Sequence, residues 1–484
     1  MRYSEFGKFL FETGLRGAME RGMDGQGSVL FIDFCRVADK YACLNELALA
    51  LAPRHLHVLD GRTNPHPEKD LGLASFVHPP RNVYYLQDWK LAPRDPQEVA
   101  SAFPRLTQLS ENFARLNGNY FDYVDGNIIQ DCIETAYFFS LATIRMLAPS
   151  AVVIWNAFHP LSQAAAEAAA LAGVPVIHAE FGLLPGTINI DCQGQMGESA
   201  VLTEADKFNQ IPVDDDALLR AADMLDFLRE TGMNRRVQHE EGDLSHRIAS
   251  AAEGRPIVLF AGHNDFSSGV MPYDARAQSG HSPHFRTSND AAAFMHDLAV
   301  EQDWLLVNKP HPFNLRAGGL EDGPNCLSLG DENINACIDA ADVTVTVLSQ
   351  TNYVSLIRKT PVVMLGRNQA NGSGAVHVPE TRADIADAIR AALDAGFSNS
   401  EEAAFLSHVA RLSKSYLYRY SAEIPDKITT ADIATLGRRL NAMIEAGNFA
   451  DPFLTEPHQE PEGDPIARRR TPRRSVQIHE SSEL

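Results

Sequence analysis

A lysine and a histidine held two residues apart by proline are suited to gripping a phosphate, and this chain carries such a pair in Asp303-Trp-Leu-Leu-Val-Asn-Lys309-Pro310-His311-Pro312. The apolar run Leu305 to Val307 is too short for a helix and reads as a buried parallel strand. Proline stops the strand and fixes both cationic donors at the carboxyl edge of a sheet, where open α/β sheets bind ligands. His-Pro also occurs at His66-Pro67, His78-Pro79 and His159-Pro160, but only the fourth copy follows a strand directly with a lysine two residues upstream. A rigid surface turn is the alternative use of the same residues.

Three further strand ends carry polar chemistry. Val174-Pro-Val-Ile-His178 reads as a strand, followed by Ala179-Glu180-Phe181-Gly182-Leu-Leu-Pro185-Gly186-Thr187. Glu180 is a candidate acid/base carboxylate, with Gly182 giving room for a ligand to approach. Burial beside Phe181, Leu183 and Leu184 would raise its pKa; a capping or turn carboxylate is the bland alternative. Glu321-Asp322-Gly323 is a more literal acidic-acidic-glycine string, but no strand precedes it. The strand Pro256-Ile-Val-Leu-Phe260 runs into Ala261-Gly262-His263-Asn264-Asp265, which puts Asp265 just past a strand edge as a nucleophile or substrate-orienting group, or simply as a turn former. Val343-Thr-Val-Thr-Val347 leads into Ser349-Gln350-Thr351-Asn352 and an apolar-periodic helix. Ser349 or Thr351 caps that helix, and the same helix start suits a phosphate.

These ends require sheets to position them. Strands at 28–33, 55–59, 83–86, 151–155 and 174–178 alternate with helical periodicity at 40–51, 97–117, 128–147 and 161–171, which implies a mostly parallel sheet covered on both faces. Residues 206–252 are charged and helix-rich and read as a linker. A second α/β block spans 253–398, with strands at 256–260, 304–307, 343–347 and 361–365. The expected organisation is therefore an N-terminal acceptor domain (1–205), the linker, a nucleotide-sugar domain (253–398), C-terminal helices (399–450) and a disordered tail (451–484). Two doubly wound Rossmann-like blocks leave a cleft between them.

Size and composition agree with this plan. A chain of 484 residues, 44% hydrophobic and 22% charged, fits a globular protein of two or three domains. The net charge of −21 disfavours nucleic acid as a partner. No apolar run is long enough to span a bilayer and the start lacks a signal-peptide pattern, so the chain is expected in the cytoplasm. The tail motif Arg468-Arg-Arg-Thr-Pro-Arg-Arg474 reads as a solvated segment or as one drawn to an anionic partner or the inner membrane surface. Six scattered cysteines read as reduced thiols. Walker, G-x-G-x-x-G, H-E-x-x-H and G-x-S-x-G patterns are all missing, and His281 with His284 lacks a ligand framework, so neither metal nor cofactor is expected.

Taken in order, the segments from about Trp155 to Gly366 resemble the bacterial capsule polysaccharide synthesis family, which includes retaining β-Kdo transferases that use CMP-Kdo (Kdo is 3-deoxy-D-manno-oct-2-ulosonic acid). The resemblance rests on Glu180 to Thr187, Asp191-Cys-Gln-Gly194, Asp265, Ser282-Pro-His-Phe285, Lys309 to Pro312, Ser349-Gln-Thr351 and Pro361 to Gly366. Phe181 stands where many members carry a second acid or a small residue, and Gln350 interrupts the Ser/Thr element. Membership would imply a GT-B fold with a nucleotide sugar in the cleft. Lys309, His311, Ser349, Gln350 and Thr351 would hold the CMP moiety, Glu180 would act on the acceptor hydroxyl, and Asp265 would be the nucleophile. The partners implied are a nucleotide sugar and a glycan or glycolipid acceptor. A transferase or epimerase using UDP-sugars, and a non-catalytic capsule assembly or export factor, are the alternatives.

Overall fold

A computed structural model describes residues 27–33, 41–60, 75–77, 96–120, 126–235, 243–311, 319–420, 424–450 and Phe453. The expected strand at 83–86, Pro312 and the arginine-rich segment after Phe453 lie outside the described residues.

The first sheet is built on β1 (Ser28–Asp33), β2 (His55–Asp60), β3 (Ser75–Val77), β4 (Ala151–Trp155), β5 (Val176–Phe181) and β6 (Thr187–Asp191). Strands β1 to β5 are parallel and lie in the order 3-2-1-4-5, the order of a doubly wound nucleotide-binding sheet. β1 and β4 are buried along their whole length, which is why both read as unbroken apolar runs instead of alternating ones.

The second sheet contains β7 (Ile257–Ala261), β8 (Leu305–Lys309), β9 (Cys326–Ser328), β10 (Val343–Thr346) and β11 (Val362–Met364). All its pairings are parallel, in the order β9-β8-β7-β10-β11. Counted from β7, this is again 3-2-1-4-5. The chain thus folds as two Rossmann-like blocks of the GT-B kind, as expected.

Two features depart from a purely parallel plan. The motif Glu180 to Thr187 turns back on itself as a hairpin, so β6 runs antiparallel to β5. The C-terminal region, expected to be helical throughout, also contributes β12 (Leu417–Arg419) and β13 (Ala431–Asp432) to the edge of the first sheet. Two- and three-residue strands are too short to leave a period in the sequence.

The last helix, Ile433–Ala446, then lies on the helix Tyr41–Leu51. The fit is close: a Cβ on Gly437 would sit 2.4 Å from Ala50 Cβ. Burying Leu44, Leu47 and Leu51 beneath this contact stabilises the first block by about 1.5–3 kcal/mol per side chain. The first block is therefore completed by the far end of the chain, which ties the two blocks together.

They also touch directly. Arg276, on the helix Ala275–Gly280 of the second block, clasps Glu198 of the first with Nε and Nη2, the latter at 2.6 Å from Oε2. Burial pushes the Glu198 carboxyl up, but the Arg276 hydrogen bonds and His281 outweigh it and hold the pKa at about 2. Beside this pair Gly197 meets Gly280 so closely that an added Cβ would fall 1.6 Å from the Gly280 carbonyl oxygen.

Candidate active site

The carboxyl edges of the two sheets face a common cleft of about 650 Å³, within the range of about 300–1,000 Å³ usual for small-molecule sites. Its first wall comes from β4 and β5 through Trp155, Asn156, His159, Glu180 and Phe181, and its second from β7, β8 and β10 through His263, Asn264, Lys309, His311 and Ser349 to Thr351. Both walls are strand ends next to the point where the strand order reverses, the place where such sheets bind ligands.

Glu180 is the next-to-last residue of β5, paired with Asn189 across the hairpin and half-buried. The hairpin explains its motif. Gly182 N–H donates to Thr187 O at 2.7 Å, and a Cβ on Gly182 would fall 2.0 Å from Thr187 Oγ1. Gly186 has φ +75 and abuts Ile424. The small residue at 182 is thus required by the turn itself, a different reason from the ligand approach anticipated for it. Asp191, at the end of β6, is wholly inside. It accepts hydrogen bonds from the amides of Gln193, Gly194 and Ala200 and from the Tyr416 hydroxyl. Burial outweighs these bonds and raises its pKa. It fixes the segment that follows the hairpin and does not line the cleft.

On the opposite wall, Gly262 lets β7 pass against the end of β8: its N–H donates to Lys309 O, and an added Cβ would lie 3.0 Å from His311 N. This contact sets where the Lys309-Pro310-His311 turn sits. The Lys309 ammonium donates to Gly330 O at 3.0 Å, which occupies one of its three donors and aims the side chain along the cleft floor. Ser349 Oγ lies 2.9 Å from Thr351 Oγ1 and accepts from Thr351 N–H at 3.3 Å. Ser349 therefore meets the first amide of the helix Thr351–Ile357, but the N-cap position is Gln350 and carries no side-chain cap, so neither Ser349 nor Thr351 is the cap expected; both residues line the cleft.

Asp265 is placed differently from the expectation. It is 7% exposed and absent from the cleft wall. Its carboxylate oxygens accept from Ser288 N–H at 2.9 and 3.1 Å, at the start of the helix Ser288–Gln302, and His263 Nε2 lies 3.0 Å from Oδ1. Both oxygens face the Ser288 amide, and Asp265 is not among the residues that line the cleft. His263 itself lines the cleft. Ser282 and Phe285 pair with each other at 2.6 Å, away from the cleft.

Sequence reasoning missed Arg235 and His263. Arg235 lies in the expected linker, where no strand end drew attention to it, and it reaches the cleft from there. His263 could have been found from the sequence, since it comes two residues after Ala261, the last residue of β7.

No family model and no curated protein matches this chain. Among solved structures it is similar to two Thermosulfurimonas dismutans KpsC structures. One is a β-Kdo 2,7 transferase (17% identity over 53% of this chain and 83% of that one, TM-score 0.32) and the other a β-Kdo 2,4 transferase (16%, 54% and 79%, TM-score 0.39). It is also similar to the Methanocaldococcus jannaschii UDP-GlcNAc 2-epimerase (10%, 79% and 98%, TM-score 0.35). Likenesses this distant bear on neither substrate nor reaction, and the fold assignment rests on strand order.

Proposed function

We propose that this protein is a glycosyltransferase that moves an acidic, Kdo-like sugar from a CMP-linked donor to a hydroxyl of a glycan or glycolipid acceptor in capsular or surface polysaccharide synthesis. One observation carries the reading: Glu180 of the first sheet and Lys309, His311, Ser349 and Thr351 of the second line a single cleft. A carboxylate that can take a proton faces a cluster of donors that can hold a phosphate. The choice of CMP, of an acidic sugar and of a capsular role comes from the resemblance of these segments.

The chemistry follows from that placement. As the glycosidic bond breaks, negative charge builds on the phosphate oxygen that leaves. His311, the two remaining Lys309 donors and the Ser349 and Thr351 hydroxyls stabilise that charge, as donors fixed in place before the reaction do. Glu180 removes the proton from the attacking acceptor hydroxyl. This scheme needs no covalent intermediate on Asp265.

The test is to titrate the protein with CMP-Kdo, CMP-sialate and several UDP-sugars by NMR, then to add candidate acceptors. Protection of cytidine signals with sugar release supports the proposal. Selective protection of uridine signals would move the assignment to a UDP-sugar enzyme. No nucleotide binding at millimolar concentrations would leave a non-catalytic assembly factor. In the same assay Glu180→Gln should cut turnover about 10²- to 10⁴-fold with donor affinity unchanged.

A further inference from the structure

We propose that the nucleoside of the donor lies in a side recess of the cleft bordered by three helices, with Asp331 accepting hydrogen bonds from its ribose hydroxyls. The inference rests on the transferase reading and adds to it a part of the cleft that the phosphate-holding strand ends leave unused.

The recess begins one residue from a contact of the phosphate site. Lys309 donates to Gly330 O at 3.0 Å, and Asp331 is the next residue of the loop that leaves β9. Its other neighbour, Glu332, is committed: one oxygen accepts from Arg247 Nη2 at 2.7 Å and the other from Gly330 N–H. Asp331 is exposed, lines the cleft and has no hydrogen bond or ion pair among the described residues. A carboxylate beside a phosphate grip repels the phosphate and weakens binding unless it meets a donor of its own. A ribose supplies two vicinal hydroxyls, and the two oxygens of one carboxylate can accept both.

Beyond Asp331 the lining turns apolar. The helix Thr351–Ile357 packs against both Asp215–Thr231 and Ile334–Asp339. Arg229 Nε donates to Ile357 O at 2.7 Å and Asn335 Nδ2 to Gly232 O at 2.8 Å, which ties the three together. Leu228, Met233, Ile334, Val354 and Ile357 line this part of the cleft, a surface suited to the flat face of a base. Asn335 supplies a second, independent sign of a ligand. It is 8% exposed and lines the cleft. With Nδ2 held by Gly232, its Oδ1 takes the other side of the amide, buried and with no donor among the described residues. A buried acceptor left without a donor is unfavourable, so this residue favours a ligand that brings an N–H. Cytosine presents an exocyclic amine where uracil presents a carbonyl oxygen; the amine would satisfy Oδ1 and the carbonyl would oppose it.

Binding of CMP, 2′,3′-dideoxy-CMP and UMP to the full-length protein and to Asp331→Ala and Asp331→Asn, measured by calorimetry, tests this. Wild type should bind CMP about tenfold or more tightly than the dideoxy analogue. Asp331→Ala should weaken CMP by that factor and leave the dideoxy analogue within twofold, with thermal unfolding unchanged because the side chain is exposed. Asp331→Asn, which keeps one acceptor oxygen, should recover part of the loss. UMP should bind more weakly than CMP to all three proteins, and equal affinity would remove Asn335 from recognition of the base. A preference for CMP over the dideoxy analogue that persists in Asp331→Ala, or that wild type lacks, would overturn the inference and leave the transferase reading intact. A wild-type protein that binds no nucleotide would end both.

Discussion

Acidification from pH 7.5 to 5 should weaken this protein through a histidine far from solvent. His408, on the helix Asn399–Ser415, is 1% exposed, and its Nε2 lies 3.0 Å from the Tyr353 hydroxyl. Burial, with a smaller contribution from the Arg411 charge, lowers its pKa from 6.5 to about 3, so it stays neutral in the fold. An unfolded histidine takes up a proton below about pH 6.5. The folded state refuses that proton. Stability is therefore complete above pH 6.5 and declines as the pH falls towards 3. At about 1.36 kcal/mol per pH unit, the loss at pH 5 is about 2 kcal/mol, or roughly thirtyfold in the folded-to-unfolded ratio.

His178, lowered to about 4 mainly by burial, adds a loss of the same sign. Asp191, raised by burial, gains stability as the pH falls and opposes it. Both cancel when wild type is compared with His408→Gln, which keeps a polar side chain beside Tyr353. Urea unfolding at pH 7.5, 6.5, 5.5 and 5 gives the two stability curves. Their difference should change by about 2 kcal/mol across that range, and curves that stay parallel would refute a neutral, buried His408. The outcome matters for the site because Tyr353 belongs to the helix that opens at Thr351.

Three other expectations follow from the cleft and the contact between the blocks. His311→Ala should abolish turnover while leaving thermal unfolding nearly unchanged; an unfolded variant would show that the histidine is structural. Asp265→Asn should keep measurable turnover and lower stability by about 1 kcal/mol, since it weakens the hold on the start of the helix Ser288–Gln302; a variant that binds donor with full stability but never turns over would return the nucleophile role to Asp265. Gly197→Ala should force the two blocks apart, because the new methyl group would overlap the Gly280 carbonyl oxygen. Small-angle scattering should then show a more open particle with reduced turnover, and an unchanged profile with normal turnover would remove this contact from the description of the cleft.

The strands that carry the cleft were legible because burial on both faces leaves no ambiguity. Leu305–Lys309 is a short apolar run that ends in polar residues, Ile257–Ala261 is apolar throughout, Val343–Thr346 alternates valine with threonine, and each is a central strand. The hairpin partner Thr187–Asp191 was not legible, since Thr-Ile-Asn-Ile-Asp alternates in type yet is buried throughout. Two of its polar residues meet the distant Tyr416, whose hydroxyl accepts from Asn189 and donates to Asp191. Local pattern cannot announce a partner more than 220 residues away.

The same limit explains what was found and missed in the cleft. Lys309 and His311 were legible because a strand and Pro310 lie directly beside them in the sequence. Asp265 was legible as a strand-end carboxylate, but its direction depends on Ser288, which only the folded chain brings beneath it. Arg235 had no local sign at all: its position is fixed by Asn335, 103 residues beyond Gly232. In the proposed reaction the strand ends, held rigidly by two sheets, supply the groups that sit against the breaking bond.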